Sequence, residues 1–302
     1  MTRILTYTMT DEMTDFENKI TIGDFLKKKG YSHPVMVQLK KTNEGIKRNG
    51  IWAYVNERLY SGDTLTITLE EKEEKSSAIP VELEFSVLYE DEDLIAINKP
   101  ANMPVHPSMN NYENTLANAL AWYNQQAGIS YPFRCLNRLD RDTTGLTIIA
   151  KNALSAGILS RQIATSQIHR SYCAICQGLV PESGTINAPI ARKEGSTIER
   201  QVDFDHGETA ITHYKRIAYD PKKNLSFVRL TLETGRTHQI RVHMKHLGFP
   251  LIGDFLYNPD DTWIKRQALH AEHLEFVHPI TNKPMQLEAP LPEDLKSLFP
   301  SF

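Results

Sequence analysis

The sequence lacks a run of about 18 apolar residues, so no membrane-spanning helix is expected. It contains only three cysteines, an odd and small number that favours a reducing compartment over a framework of disulfides. The first 19 residues carry acidic side chains and have no apolar segment of the signal-peptide type. We therefore expect a cytoplasmic protein that does not bind a membrane.

The chain also lacks the motifs of the common nucleotide cofactors. It has no Walker loop, no dinucleotide fingerprint and no nucleophile elbow. The pair "CAIC" is similar to a zinc or redox motif, but it lies in a predicted strand, where Cys173 and Cys176 would point to opposite faces. No second pair follows it, so we interpret both cysteines as small core residues and expect no cofactor.

A cluster of histidines near the C-terminal third of the chain must be weighed as a metal site. The three are His238, His243 and His246. No second motif with the spacing of metal ligands accompanies them, and Arg241 lies among them, where its charge disfavours a cation. We expect no metal ion.

The net charge is only −3 and gives no overall indication of a nucleic-acid partner, but the charge is unevenly distributed. Between Lys19 and Tyr60, nine lysines and arginines stand against three acidic residues, a local net charge of +6. The segment that follows, "LEEKEEKSSAIPVELEFSVLYEDEDL", is strongly acidic. Such an asymmetry can mark a module that faces phosphates, although lysine-rich helices are more often simply solvated.

The pattern divides the chain into an N-terminal extension (1–18), a small domain (19–72), a linker (73–84) and a large domain (85–302). The linker is predicted from "EEKEEKSSAIP", which is polar and charged and ends in proline. We see no internal repeat and no low-complexity segment.

The small domain is predicted to combine helices with a small sheet. "TIGDFLKKKGYSHPVMVQLKK" predicts two short helices, the first capped by Thr21 or Asp24 and ended by Gly30. "GIWAYVNERLYSGDTLTITLEE" predicts short strands, with "SGD" as the turn before an alternating strand. The result is a compact α+β module with basic helices.

The large domain mixes helices and strands without a strict repeat. "NTLANALAWYNQQ" and "NALSAGILSRQIATSQI" have helical spacing, whereas "GLTIIAK", "RSYCAICQGLV" and "LSFVRLTLETG" are typical of strands. This order predicts an α+β fold in which helices flank a central, mixed and largely antiparallel sheet.

The segment "RLDRDTTGL" places Asp140 ahead of Thr143, Thr144 and a glycine. Hydroxyl groups and glycine form a tight turn that can fix a carboxylate. A carboxylate that is ionised for chemistry needs a cationic partner, and Arg138 and Arg141 are too near in sequence to point at it. The alternative is a surface loop stabilised by salt bridges.

The segment "TGRTHQIRVHMKHLG" supplies candidate partners. Read as a strand, it would place Arg236 and His238 on one face and Gln239 and Arg241 on the other. One arginine could then pair with a buried aspartate while the other binds phosphate, a division that suits the planar guanidinium group.

Together with "INKPANMPVHP" and "IHRSYCAICQG", these segments resemble the RluA-like family of RNA pseudouridine synthases over about residues 85 to 292. The basic small domain is similar, over about residues 19 to 72, to the alpha-L RNA-binding fold that often precedes this catalytic domain. The resemblance implies an isomerase that flips a uridine out of RNA and needs no cofactor. It also implies that the positive patch clamps RNA phosphates.

The resemblance implies that Asp140 is the catalytic carboxylate, acting as a nucleophile at the anomeric sugar carbon or as a base at the neighbouring one. It implies that Arg241 pairs with Asp140 and that Tyr172 stacks on the uracil or assists proton removal from its ring. Residues expected to contact the substrate are Arg138, Thr144, Arg236, His238 and Gln239. Residues expected to bind RNA in the small domain are Lys28, Lys40, Lys41, Lys47 and Arg48.

Three positions depart from the family pattern. Asn137 stands where many members have histidine, Arg170 where lysine is usual, and Asn102 where glycine is common. Asparagine is tolerable at 102 because it adopts the left-handed conformation more readily than most residues. The side chains of Arg141 and Asp142 are expected to face solvent or RNA.

Large-subunit ribosomal RNA is the expected target, with transfer RNA second and a monomer the expected state. One alternative is an RNA-binding ribosome-assembly factor without catalytic activity. Another is a hydrolase that uses Asp140 and Asp142 as paired carboxylates. Only one residue separates the two, which is too close to flank a glycosidic bond.

Overall fold

The computed structural model describes residues 1–14, 20–71, 78–108 and 111–300. Residues 1–14 and 20–71 form an N-terminal unit with a four-stranded sheet in the order β1-β4-β2-β3. Its elements are β1 Thr2–Thr8, α1 Asp11–Thr14, α2 Ile22–Lys28, α3 His33–Lys41, β2 Ile46–Arg48, β3 Ile51–Trp52 and β4 Thr64–Glu70.

Local sequence signals account for the elements that were predicted in this unit. The Thr21 hydroxyl accepts a hydrogen bond from the Asp24 amide at 3.1 Å and caps α2, and Gly30 follows its end with a φ of 92°. In β4 every second side chain is buried, as the alternating pattern predicted. Both helices and the strand are confirmed.

The structure differs from the expected N-terminal extension. Strand β1 pairs antiparallel with β4 along its whole length, from Thr2 opposite Glu70 to Thr8 opposite Thr64. Leu5 is buried in the core of the unit. A strand whose partner lies some sixty residues away gives no local signal, so the sequence pattern did not join it to the small domain. Residues 15–19, which contain the expected boundary, and 72–77, within the expected linker, lie outside the described residues.

The remaining described residues build one ten-stranded sheet with helices packed on it, and a separate two-stranded sheet formed by Ile190–Arg192 and Arg200–Val202. The strand order of the ten-stranded sheet is β10-β13-β14-β9-β15-β8-β6-β5, with β16 added beside β15 and β7 beside β8. The elements are β5 Ser86–Glu90, β6 Leu94–Lys99, α4 Leu116–Gln126, β7 Arg134–Cys135, β8 Thr144–Ala150, α5 Ala153–Ala164, β9 His169–Gln177, β10 Ser183–Asn187, β11 Ile190–Arg192, β12 Arg200–Val202, β13 Ile211–Asp220, β14 Leu225–Leu232, α6 Gln239–His246, β15 Leu269–Val277, β16 Pro284–Glu288 and α7 Glu293–Lys296.

The sheet is largely antiparallel, which confirms the predicted fold class. The exception among the described pairings is the parallel contact of β8 with β15. Gly145 makes this contact close: its φ is 108°, and a β-carbon there would lie 2.2 Å from the carbonyl oxygen of Ala271. A glycine at this position therefore lets the segment after Asp140 enter the centre of the sheet.

The two cysteines of "CAIC" lie in β9 and are both fully buried. Cys176 packs in the main core and Cys173 packs in a separate cluster on the other face of the sheet. The interpretation as core residues is confirmed.

The N-terminal unit packs directly on the large sheet and its helices. Leu154 of α5 is buried in the core of the N-terminal unit. Arg3 contacts Asp93 through two hydrogen bonds of 3.1 Å, and Arg134 contacts Glu71 at 2.7 Å. Within the described ranges, no helix is long and apolar enough to cross a membrane.

Candidate active site

Asp140 lies in the loop between β7 and β8, and its side chain is 26% exposed. The Thr143 amide donates to the Asp140 carbonyl at 3.2 Å, closing a turn. The turn is held from below by Lys99, which is fully buried and donates to the carbonyl oxygens of Arg141 (2.9 Å), Met103 (2.9 Å) and Pro100 (2.8 Å). Burial lowers the pKa of Lys99 to about 7.

The segment after Thr237 is a helix, and the prediction of a strand there was wrong. Helix α6 begins at Gln239, with His238 in the left-handed conformation (φ 58°) as its N-cap residue. The apolar residues Ile240 and Met244 are spaced by four, and both are buried. An even spacing also places two residues on one face of a strand, so the apolar pattern fitted both a helix and a strand. Packing against the sheet favoured the helix.

The helix directs Arg241 between two carboxylates. Its Nη1 donates to Asp140 Oδ2 at 2.8 Å, while Nε and Nη2 donate to the two oxygens of Asp254 at 2.7 and 2.8 Å. The Arg241 side chain is 2% exposed and that of Asp254 is 0% exposed. Asp254 also accepts the backbone amides of Leu256 and Tyr257. The guanidinium is thus fixed from behind by Asp254 and presents one N–H group to Asp140.

This surrounding keeps Arg241 charged. Burial disfavours the cation, but the hydrogen bonds that Arg241 donates to Asp254 and the charge of Asp140 outweigh it and raise the pKa of Arg241 above its ordinary value. The ring of Tyr257 lies against the guanidinium, with its centroid 5.0 Å from Cζ. Asp140, which is itself partly exposed, therefore faces a permanent and almost completely buried cation.

Tyr172 lies on β9 and is 7% exposed. Burial raises the pKa of its phenol, the nearby charge of Arg170 lowers it, and Asp140 raises it further. The phenol is therefore neutral near pH 7 and can act as a hydrogen-bond donor or as an apolar ring face.

His238 completes the polar wall beside Asp140. Its Nδ1 lies 2.9 Å from the hydroxyl of Tyr257, and its Nε2 lies 3.9 Å from Asp140 Oδ2. Burial lowers the pKa of His238, although the charge of Asp140 acts in the opposite direction. The imidazole is therefore neutral at pH 7.

Two connected spaces open beside Asp140. A recess of about 60 Å³ is lined by Asp140, Tyr172, Arg241 and apolar side chains that include Leu232 and Leu269. A wide cleft of about 680 Å³ leads to it, and both Asp140 and Tyr172 also line this cleft. The arrangement can hold a flat, largely apolar group in the recess and a longer polar chain in the cleft.

The structure brings most of the predicted substrate residues to this site. Arg138 lines both spaces and donates to the Thr237 hydroxyl at 3.1 Å. Arg236 also lines both, but its guanidinium forms an ion pair with Glu208. Gln239 borders the recess, yet its carboxamide is used within the protein, accepting the Arg236 amide at 2.9 Å. Gln239 thus positions the loop before α6.

Two expectations for "RLDRDTTGL" were wrong. Thr144 does not line either space: it is buried in β8, and its hydroxyl lies 2.8 Å from His270 Nδ1. Asp142 does not face solvent, because it is 9% exposed and accepts from Arg141 at 2.8 Å. Both residues follow the chain into the buried centre of the sheet. The side chain of Arg141, 49% exposed, does face solvent.

Two of the positions that depart from the family pattern acquire a physical meaning. The Asn137 amide donates to the Leu146 carbonyl, and its oxygen accepts the Ile148 amide, both at 2.8 Å. Its side chain thus pairs with the backbone of β8 and does not face the recess. Asn102 adopts the left-handed conformation with a φ of 57°, as expected.

Sequence reasoning missed three residues of this site: Asp254, Lys99 and Arg170. Asp254 lies in "GFPLIGD", and nothing near it in sequence indicates a role; its partner Arg241 is 13 residues away. Lys99 lies in the "INKP" segment, but a lysine gives no sign of burial. Arg170 had a usable signal, since it lies two residues before Tyr172 and strand alternation places both on one face.

The basic residues of the N-terminal unit fall into two groups. Lys28, Lys40 and Lys41 are exposed on α2 and α3. Lys47 contacts Glu44 at 2.5 Å, and Arg48 lies within 4 Å of both Glu57 and Asp63. The second group is therefore partly neutralised within the protein.

The described residues contain one group of side chains close enough to hold a metal ion: Asp91, Asp93 and His278. Asp93 already accepts from Arg3 at 3.1 Å and from Asn152 at 2.9 Å, and Asp91 lies 2.7 Å from His278 Nε2. These partners make the group a polar contact that joins β1 to the large sheet. Of the three histidines that the sequence analysis weighed and rejected as a metal site, His243 is buried against the hydroxyl of Thr212.

Comparison with known proteins supplies independent evidence. The family model for RNA pseudouridylate synthases matches residues 93–246. The uncharacterized RNA pseudouridine synthase YhcT of Bacillus subtilis is 42% identical over 262 residues, covering 86% of this chain and 84% of the relative. The ribosomal large subunit pseudouridine synthase D of Zymomonas mobilis is 40% identical over 237 residues, covering 73% of each. The structure of human RNA pseudouridylate synthase domain containing 1 aligns with a TM-score of 0.59 at 25% identity, covering 71% of this chain and 86% of that chain.

Proposed function

This chain belongs to the RNA pseudouridylate synthase family, and we propose from that premise that it isomerises uridines of large-subunit ribosomal RNA with Asp140 as its catalytic carboxylate. The chain is an RNA pseudouridine synthase, an isomerase, and the family supports this reading over the assembly-factor and hydrolase alternatives. The observation that carries the role of Asp140 is its contact with Arg241, which Asp254 fixes from the other side.

The reaction needs only groups that the site contains. The bond between uracil N1 and the sugar breaks, the base turns, and a bond forms between its C5 and the same sugar carbon. The proton lost from C5 is balanced by one gained at N1, so no oxidant, reductant or water is consumed. A carboxylate beside the sugar serves either route, as nucleophile at the anomeric carbon or as base at the neighbouring one.

In this proposal the recess beside Asp140 holds the flipped uracil. Tyr172 and the apolar side chains of Leu232 and Leu269 line it, and they retain the detached base while it turns. Arg241 orients Asp140 and stabilises its charge in surroundings from which water is largely excluded. Tyr172 contributes a ring face for stacking or a phenol for the proton that leaves C5.

Ribosomal RNA of the large subunit is the proposed target because the Zymomonas mobilis relative is named for that subunit. The N-terminal unit is proposed to bind RNA, through the exposed Lys28, Lys40 and Lys41 above all. We propose that the protein is cytoplasmic, because its three cysteines are free thiols that suit a reducing compartment. We also propose a monomer, because Asp140, Tyr172 and Arg241 already meet within one chain and the site does not require a second copy.

The test uses ribosomal and transfer RNA from cells that lack the protein. Purified wild type, Asp140→Asn and Asp142→Asn are incubated with each RNA, and pseudouridine is mapped by carbodiimide-dependent reverse-transcriptase stops. We expect new stops in large-subunit RNA with wild type and with Asp142→Asn, and none with Asp140→Asn. Stops confined to transfer RNA would overturn the target, and stops with Asp140→Asn would overturn the catalytic assignment.

A further inference from the structure

Arg170 is a buried cation without a partner. It is 9% exposed, and its Nε is a buried donor for which no acceptor is present in the described part of the chain. Neither of its Nη groups forms a hydrogen bond or an ion pair with a described residue. Buried charges in proteins are ordinarily paired, because a desolvated cation without acceptors is costly. An anionic group that enters the wide cleft, which Arg170 lines, would supply the missing acceptor.

The position of Arg170 shows where that ligand lies. Arg170 lines the wide cleft but not the recess beside Asp140, whereas Tyr172 lines both. The two residues are neighbours on one face of β9, separated by roughly 6.6 Å at the usual rise of a strand. A group that contacts Arg170 is thus outside the space that holds the base, but within one nucleotide of it.

The charged groups around Arg170 leave its N–H groups free for an anion. Glu233, the other carboxylate that lines the cleft, is 2.6 Å from His213. Asp140 is bonded to Arg241. Arg138 and Arg236 border the same cleft, so its entrance is positive, and Arg236 already has Glu208 as a partner.

We propose that Arg170 binds a phosphodiester of the RNA backbone directly next to the flipped uridine. This inference rests on the proposed function and adds a phosphate subsite to it. A phosphodiester is the anion that every nucleotide carries, and its two free oxygens match the paired N–H groups of arginine. Arg170 is a substrate-positioning residue that holds the sugar in register with Asp140.

Gly235 is part of the same subsite. A β-carbon built on Gly235 would lie 2.8 Å from Arg170 Nη1, and the backbone of Gly235 does not have the positive φ that excludes alanine. The atom that would collide is the free end of a flexible side chain. Gly235→Ala should therefore displace the guanidinium without unfolding the chain.

The test measures binding, so that it does not depend on turnover. Each variant is made in the Asp140→Asn background and titrated with a synthetic RNA that contains a uridine mapped by the carbodiimide experiment. If that experiment maps no uridine, the titration uses any uridine-containing single strand that binds the protein. One version of the RNA carries a neutral methylphosphonate in place of the phosphate on each side of that uridine in turn. Arg229→Gln is the matched control, since Arg229 faces the other side of β14 and pairs with Glu272.

We expect Arg170→Gln to weaken binding about tenfold and to lower the slope of log affinity against log salt by about 0.7, the value for one phosphate on a single strand. One of the two methylphosphonate RNAs should bind the protein that keeps Arg170 about as weakly as the unmodified RNA binds Arg170→Gln. The same methylphosphonate should not change the binding of Arg170→Gln. Gly235→Ala should reproduce the loss in the presence of Arg170 and add nothing to Arg170→Gln. Arg229→Gln should change none of these values.

Unchanged binding and salt slope in Arg170→Gln would overturn the proposal. Turnover is measured for Arg170→Gln in the protein that keeps Asp140. A fall in turnover with unchanged RNA binding would also overturn the proposal, because Arg170 would then act on the leaving uracil. Failure of the wild type to form pseudouridine would overturn the proposed function instead, and the binding titration would still decide for or against the phosphate subsite. Melting curves for all variants exclude unfolding as the cause.

Discussion

The two carboxylates that contact Arg241 should differ in their effect on stability when each is changed to the isosteric amide. Asp254 is 0% exposed and Asp140 is 26% exposed, yet both accept from the same guanidinium. Asp254→Asn keeps an oxygen for the amides of Leu256 and Tyr257, but it turns an NH₂ group toward the donors of Arg241. Asp140→Asn leaves an amide oxygen that can still accept from Nη1.

The magnitude follows from burial. Removing one partner of a buried ion pair leaves an uncompensated charge and costs about 3–5 kcal/mol. Unfolding entropy is about 2.1 cal/mol/K per residue, so for 302 residues a loss of about 3–5 kcal/mol lowers the melting temperature by about 5–8 °C. A partly exposed pair contributes about 1 kcal/mol or less, so Asp140→Asn should shift the melting temperature by less than about 2 °C.

The assay combines thermal melting by circular dichroism with pseudouridine formation on the mapped RNA. Asp140→Asn should lose all activity and keep its stability, whereas Asp254→Asn should lose the stability stated above. Turnover of Asp254→Asn should fall by more than about tenfold, because Arg241 loses the carboxylate oxygen that accepts from its Nε and so is no longer firmly fixed behind Asp140. Equal melting temperatures for Asp254→Asn and the wild type would refute this account of Arg241. So would a larger loss of stability in Asp140→Asn than in Asp254→Asn.

Two further predictions follow. Burial lowers the pKa of His243 in the folded protein below the value of about 6.5 that it has in the unfolded chain. Between these two pKa values the unfolded chain binds the proton more readily, so the stability of the fold decreases as the pH falls. His243→Asn should reduce the steepness of this fall by up to about 1.4 kcal/mol per pH unit, measured by urea unfolding from pH 7 to 5; an unchanged slope would contradict it. Lys99→Met removes the hydrogen bond to the Arg141 carbonyl of the Asp140 turn and those to the carbonyls of Pro100 and Met103, and it should reduce turnover about tenfold or more, about 1.4 kcal/mol. It should also speed hydrogen exchange of the Met103 amide, which donates to the Arg141 carbonyl, and unaltered exchange at Met103 would count against this role for Lys99.

The sequence by itself determined the features that depend on local pattern and chemistry. The cap at Thr21, the alternation of β4 and the periodicity of α5 are set by neighbouring residues, and all were predictable. The motif around Asp140 indicated the family, and with it the reaction, because specific residue types at fixed spacing can be recognised in a sequence without knowledge of the fold. The α+β class and the largely antiparallel sheet also followed from the order of predicted elements.

Only the tertiary structure decided which distant residues meet. It joined β1 to β4 and turned the segment of Arg241 into a helix, where apolar spacing fitted both a helix and a strand. It placed Asp254 behind Arg241 and Lys99 beneath the Asp140 turn, and it left Arg170 Nε buried with no acceptor in the part of the chain that the structure describes. Burial and long-range pairing are properties of the packed chain. The sequence does not distinguish a charged residue that is solvated from one that is paired within the protein or one that binds a ligand.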